Sequence, residues 1–216
     1  MIKLLQGDCL ELMKSIPDGS VDLLLTDIPY GGVNRDDNGL RKLDKGKADI
    51  VTFEMQVLLQ ELNRVCKGTI IIFCAREQLS EIYTYFNELQ KNKIGTVRQL
   101  VWSKTNPSPM NGQHIYLSGN ENAVWFKKKG GTFNAHCKSN VFRFPSGRSK
   151  LHPTEKNHKL LEELILDNSN TSDIILDPFM GSGSHGFVAK NLNRNFIGME
   201  LDPDYLKIAK ERIGYE

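Results

Sequence analysis

The chain has 216 residues, 39% of them hydrophobic and 25% charged, with a formal net charge of +2. That length suits one domain, 1–216, large enough to bury a sheet between helical layers, and two full domains would be cramped. No apolar run approaches the roughly 20 residues that cross a bilayer and no basic-then-apolar leader opens the chain; the four scattered cysteines, with no Cys-x-x-Cys pair, read as reduced cytoplasmic thiols, so no metal site, disulfide frame or membrane partner is expected.

Ile2 to Leu5 is a short apolar strand closed by Gly7-Asp8, and Cys9 to Ile16 sets Leu10 and Met13 on one helical face before the turn residues Pro17-Asp18-Gly19. Val21 to Thr26 is nearly all apolar, the pattern of a parallel strand buried on both faces. It runs into Asp27-Ile28-Pro29-Tyr30. Pro29 cannot donate to a ladder and also restricts Ile28, so the strand should stop there, with the Asp27 carboxylate and Tyr30 ring beyond its tip, where α/β enzymes place their chemistry. On these four residues alone, a turn cap at Asp27 with Tyr30 covering the core is the simpler reading. Val33 to Ile50, with five bases (Arg35 and Arg41 among them) against four acids, reads as a polar loop.

Phe53, Val57, Leu58, Leu62 and Val65 then form one helical stripe, which Gly68 is placed to close. The buried strand Thr69 to Cys74, a helix from about Glu77 to Lys91 and a strand near Thr96 to Ser103 follow. This alternation predicts an α/β, doubly wound, Rossmann-like, mostly parallel sheet. Lys104 to Gly119 should be loop, and Asn122 to Phe126 another strand. From Lys127 to Lys150 there are five lysines (Lys127, Lys128, Lys129, Lys138, Lys150), two arginines (Arg143, Arg148) and no acid, with Phe133, Phe142 and Phe144 interleaved. That mixture suits phosphates and exposed bases, although a solvated basic loop is the commoner meaning of a charge run. Trp102 and Trp125 read as sheet packing.

His152-Pro153-Thr154-Glu155-Lys156 opens a helix whose stripe is Leu160, Leu161, Leu164 and Ile165, with Thr154 as candidate N-cap. A strand at Asp173 to Leu176 leads into Asp177-Pro178-Phe179-Met180-Gly181-Ser182-Gly183, a helix to Asn193, a strand at Asn195 to Met199, then Glu200-Leu201-Asp202 and a helix begun by Pro203. Gly181-x-Gly183-x-x-Gly186 between strand and helix, with Glu200 about 20 residues on, is a nucleotide-binding pattern: glycines admit a ligand close to the backbone, and an acid at the second tip takes ribose hydroxyls. Asp177 would oppose a pyrophosphate but suit a sulfonium and an ammonium, so the pattern favours S-adenosylmethionine over NAD.

Taken in order, Asp27-Ile28-Pro29-Tyr30 and Asp177-Pro178-Phe179-Met180-Gly181-Ser182-Gly183 resemble the permuted β class of amino-group DNA methyltransferases of bacteria and phages, in which the catalytic half precedes the cofactor half. Gly7-Asp8-Cys9, Trp102 to Pro107, Glu121 to Phe126 and His152 to Lys156 extend the resemblance over nearly the whole chain. It implies a class I S-adenosylmethionine-dependent fold, with 1–103 as catalytic half, 104–150 as loops carrying the target-recognition segment, and 151–216 as cofactor half. The implied reaction is direct in-line methyl transfer to a base flipped out of duplex DNA, with Asp27 and a carbonyl at Ile28 or Pro29 accepting the amine's N–H bonds and Tyr30 stacking on the base. Asp at position 27 points to adenine N6, Ser there being usual for cytosine N4. No cysteine follows a proline, which sets C5 methylation aside. Implied cofactor residues are Asp8 and Cys9 near the adenine, Thr154, Glu155 and Lys156 on or over the carboxylate, Asp177, Phe179, Gly181, Ser182 and Gly183 in the loop under the methionine, Glu200 with Leu201 at the ribose, and Asp27 besides. DNA is assigned to Lys127 to Lys150 and to Arg35 and Arg41, with a homodimer or second subunit assisting. Departures from the family pattern are Ile28 for a first proline and Ser184-His185 after Gly183. Cytosine N4, RNA, or DNA binding without catalysis remain alternatives.

Overall fold

The computed structural model of the chain describes residues 1–31, 53–109, 112–147 and 156–215. Its elements, in chain order, are β1 (Ile2–Gln6), α1 (Cys9–Met13), β2 (Val21–Asp27), α2 (Met55–Val65), β3 (Cys66–Cys74), α3 (Arg76–Lys91), β4 (Gly95–Lys104), β5 (Asn120–Lys128), β6 (Val141–Phe144), α4 (His158–Asn168), β7 (Ile174–Asp177), α5 (Ser184–Asn191), β8 (Asn195–Glu200) and α6 (Pro203–Ile213). The strands form one eight-stranded sheet in the order β1-β8-β7-β2-β3-β5-β4-β6. Among the described strands only β5 runs against the rest, antiparallel to both neighbours.

Strand alternation divides the core in two. Leu23 and Leu25 of β2, with Ile71 and Phe73 of β3, face Leu160, Leu161, Val188 and Ala209 of α4, α5 and α6. The intervening Leu24, Ile70 and Ile72, with Val21 across an irregularity in the β2–β3 pairing, face Met13, Leu58, Leu62, Ile82 and Phe86 of α1, α2 and α3. Central strands buried on both faces explain the near-continuous apolar runs. Trp102 and Trp125 pack as expected, their indole N–H groups donating to the Phe144 carbonyl (2.9 Å) and to Asn168 Oδ1 (2.8 Å). Of the cysteines, all free, Cys9, Cys66 and Cys74 are buried and Cys137 is exposed.

Three local expectations need correction. Gly68 does not cap α2; α2 passes straight into β3, and Gly68 lies within that strand. A Cβ there would sit 2.0 Å from the Asp22 carbonyl oxygen, so the glycine is required by the close approach of β2, whose pairing with β3 is irregular at that point. Thr154 is not the N-cap of α4; that cap is Asn157, whose side chain accepts from the amides of Lys159 and Leu160. The basic aromatic stretch after β5, expected as loop, contributes a further strand, β6, at the edge of the sheet. A four-residue strand with one arginine gives little period to read.

Candidate active site

Parallel order brings the C-terminal tips of β1, β8, β7, β2 and β3 to one edge. Strand β2 ends at Asp27, as the proline requires, and the Ile28 amide still reaches the Phe73 carbonyl (3.2 Å). Ile28 is buried among the α1–α3 helices. The Pro29 carbonyl accepts from Gln78 Nε2 (2.8 Å), while Gln78 Oε1 accepts the Ala75 amide at the start of α3 (2.9 Å). Gln78 thus fastens the turn to a helix.

Asp27 is not a turn cap. Its Oδ1 accepts from the Tyr30 hydroxyl (2.7 Å) and its Oδ2 from Lys156 Nζ (2.5 Å). Burial and the neighbouring Asp27 charge push the Tyr30 hydroxyl well above the usual phenol range, so it stays a donor. Lys156 is only 5% exposed and also lies 2.9 Å from Glu121 Oε2, whose other oxygen meets Lys104 Nζ at 2.6 Å. Burial disfavours the Lys156 ammonium, but Asp27 and Glu121 outweigh it and hold it charged. Burial alone would raise Glu121; the Lys156 and Lys104 ammoniums prevail and lower it from 4.5 to about 2. A carboxylate held low stabilises the fold above its unfolded pKa and loses that contribution as pH falls through the folded one. In urea unfolding, therefore, the stability advantage of the wild type over Glu121→Gln should be full above pH 4.5 and shrink steadily towards pH 2.

Beside it, β7 ends in Asp177, which is completely buried. Its Oδ1 accepts from Thr26 Oγ1 of β2 (2.7 Å) and from the Phe179 amide (3.1 Å), and its Oδ2 pairs with His185 Nδ1. Asp177 therefore builds the loop from beneath, joined to the catalytic strand, and does not face a ligand as the sequence suggested. Gly183 caps α5 with φ +80°, and a Cβ there would press on Ala209 at 2.9 Å, so both its conformation and its packing exclude a side chain. Glu200 accepts the Gly181 amide on Oε2 and the Asp202 amide on Oε1, both at 2.8 Å. Burial raises its pKa above the usual range despite those bonds. Asp8 caps α1, accepting the Leu10 and Glu11 amides, and the Gly7 amide reaches the Glu200 carbonyl (3.0 Å). Burial and Asp8 push the Cys9 thiol up to about 12, leaving it inert.

Asp8, Cys9, Asp27, Phe179, Gly181 and Glu200 thus share one edge. Phe179 packs against Phe53 with the rings tilted by 47° (5.3 Å between centroids), Leu201 is exposed, and a Cβ at Gly181 would meet nothing within 4 Å. An open lip set with carboxylates suits a cationic, phosphate-free ligand such as S-adenosylmethionine. The Ser182 hydroxyl is buried and accepts from Arg212 (3.2 Å), so it ties the loop to α6. Lys156, expected over the cofactor carboxylate, is instead on Asp27.

The basic run divides. Lys127 and Lys128 pair with Thr69, Thr96 and Gly95, at the beginnings of β3 and β4, so antiparallel β5 carries them and Lys129 to the edge opposite Asp27. Lys127 Nζ donates to the Gly131 carbonyl (3.0 Å) and Lys128 Nζ to that of Asn63 (2.6 Å), while Lys138 is held by Glu163 and Asp167. These four do not frame a surface with the catalytic tip. Arg143, exposed and level with Ser103, stands at the catalytic end. Arg35, Arg41, Arg148, Lys150, Thr154 and Glu155 lie outside the described residues. Glu121, Lys104, Gln78 and His185 were given no role from sequence; the resemblance covered Glu121 and Lys104 without marking them.

A permuted α/β sheet with a glycine loop at one central tip and an Asp-x-Pro-Tyr tip beside it is the architecture of the class I S-adenosylmethionine-dependent methyltransferases. A family profile described as DNA methylase matches residues 21–211. The chain is 30% identical to the Type II methyltransferase M.HinfI of Haemophilus influenzae, over 97% of this chain and 67% of that one. To the Type II methyltransferase M2.DpnII of Streptococcus pneumoniae it is 29% identical, over 99% and 90%. The crystal structure of the M1.HpyAVI–SAM complex matches with a TM-score of 0.75 at 30% identity, covering 98% of this chain and 100% of that one. The cytosine-N4-specific PvuII DNA methyltransferase, 20% identical, shares the fold (TM-score 0.74, covering 98% and 86%). The chain belongs to the DNA methylase family.

Proposed function

We propose that the protein transfers a methyl group from S-adenosylmethionine to the exocyclic N6 of adenine in duplex DNA. The observation that carries this reading is the Asp27 carboxylate at the β2 tip, next to the glycine loop of β7 and bonded to Tyr30. An exocyclic amine is a weak nucleophile because its lone pair is delocalised into the ring. Two acceptors placed on its N–H bonds draw the nitrogen towards tetrahedral geometry and aim the lone pair at the incoming carbon, so positioning and electrostatics supply the rate. Asp27 is one acceptor. The Pro29 carbonyl is already engaged by Gln78, which favours the Ile28 carbonyl as the other. The bound cofactor supplies an electrophilic methyl on a sulfonium. Glu200 and Leu201 would hold its nucleoside end and the loop Phe179 to Gly183 its amino-acid end. Tyr30 would lie against the flipped base, and Asp27 is placed to take the proton that the methylated nitrogen sheds. Of the described basic run, Arg143 is positioned to meet the phosphates beside that base.

Tritium from labelled S-adenosylmethionine is expected in unmethylated mixed-sequence duplex DNA, and nucleoside digestion should recover it as N6-methyl-2′-deoxyadenosine. Recovery as N4-methyl-2′-deoxycytidine would reverse the choice of base, and label confined to RNA or protein would overturn the reading.

A further inference from the structure

Lys156 is an unusual guest at this site. A fully charged ammonium, 95% buried, rests on the carboxylate that the target amine must use, with its nitrogen 5.0 Å from the centre of the Phe73 ring and 5.7 Å from that of Tyr30. It donates to Asp27 Oδ2 and, at 3.3 Å, to the Tyr30 hydroxyl. With those bonds in place, Asp27 has one oxygen bonded to lysine and one to tyrosine, and a base entering the pocket meets an anionic acceptor already engaged on both oxygens and partly neutralised by the ammonium.

The same cluster contains a second seat. Glu121 Oε2 is buried and 2.9 Å from Lys156 Nζ, yet accepts no well-directed hydrogen bond, while Oε1 is held by Lys104. A buried carboxylate oxygen without a directed donor is costly, and an ammonium already in contact needs only to turn towards it. Strand register fixes this arrangement: Glu121 lies near the start of β5 and pairs with Trp102 of β4, two residues before Lys104.

We propose that Lys156 is a displaceable pin on the catalytic carboxylate, bonded to Asp27 while the base pocket is vacant and handed to Glu121 Oε2 when the target amine takes Asp27. This rests on the amino-methyltransferase reading above. It makes Lys156 and Glu121 positioning residues that set the accessibility of Asp27. Charge is conserved in the exchange: one cation remains between two carboxylates, so the amine enters without any charge being left buried and alone. Among the described residues, the other charged or titratable groups around the pair are Tyr30 on the same turn as Asp27, Cys74 of β3 and Lys104 of β4, and none of these offers the ammonium another carboxylate.

The test is the order of single-turnover rates in a four-member cycle, with enzyme in excess over unmethylated mixed-sequence duplex DNA and saturating tritiated S-adenosylmethionine. Glu121→Gln removes the second seat and strands the lysine on Asp27, so methyl transfer should fall tenfold or more while cofactor binding, measured by titration, stays within about threefold. Adding Lys156→Met to Glu121→Gln removes the stranded cation and should restore at least half of the lost logarithm of rate. Residues that merely support the fold give the opposite order, with the double variant no faster than Glu121→Gln. That order overturns the pin. Should Glu121→Gln fail to bind cofactor, Glu121→Asp, which keeps the charge one methylene further back, takes its place in the cycle with the same expected order. A wild type that labels no DNA overturns the reading of function and the pin together; a wild type that labels DNA with no rescue overturns the pin alone.

Discussion

Asp27→Ala is expected to lower methyl transfer to DNA by about 10³-fold or more, on the scale of removing the dominant preorganised electrostatic group from a site. The loss should appear in the chemical step, because Asp27 acts on the amine, and cofactor affinity should change by no more than a few-fold. Tyr30 and Lys156 both lose an acceptor in this variant, so its melting temperature must be compared with the wild type at the assay temperature. Asp27→Asn keeps the shape and one acceptor oxygen but not the charge, and should fall between the two. Single-turnover tritium transfer at saturating cofactor measures the effect directly. Retention of more than about a tenth of the wild-type rate by Asp27→Ala would remove Asp27 from the chemistry, and with it the reason for placing the base at this tip.

Asp177→Ala should be the most destabilising change at the site. Thr26 Oγ1, the Phe179 amide and His185 Nδ1 all converge on this one buried carboxylate, and alanine leaves the three without it. Breaking a buried pair in this way costs roughly 3–5 kcal/mol, which for a chain of this size is a fall in melting temperature of about 10 °C. The same deletion frees the β7 loop from β2, so S-adenosylmethionine affinity should drop by about 100-fold or more in calorimetric titration. Asp177→Asn, which can still accept from Thr26 and Phe179, should lose less of both. A variant with alanine at this position that melts and binds cofactor as the wild type does would show that the loop is organised by something else.

The parts of this site that could be read from sequence are those set by short-range sterics. Pro29 ends a strand wherever it stands, and Gly183 must take a left-handed cap or leave α5 unformed, so both tips and the acid at Glu200 were visible without coordinates. What could not be read depends on strand direction and register. Nothing in Asn120–Lys128 says that β5 runs backwards, yet that reversal sends Lys127 and Lys128 to the far edge and brings Glu121 to the catalytic one. Lys156 was expected beside the cofactor because its motif neighbours suggested it; its place on Asp27, 129 positions earlier, follows from where α4 begins. Asp177 was expected to face a ligand because its charge suits a sulfonium and an ammonium, and its burial beneath the loop depends on Thr26 and His185 arriving from two other elements.

The strand order has a consequence for how such a chain is made. β1 precedes the other described strands, but its pairing partner among them is β8, so β1 stays single until Asn195–Glu200 has been made. β7 and β8 must then enter between β1 and β2, and until they do β2 presents an open, apolar border to whatever is nearby. The two acids that organise the site, Asp27 and Asp177, meet across that last-closed seam. An incompletely synthesised or clipped chain therefore exposes an adhesive edge and has no methyl-transfer site, which couples the appearance of activity to the disappearance of the segment most prone to aggregate.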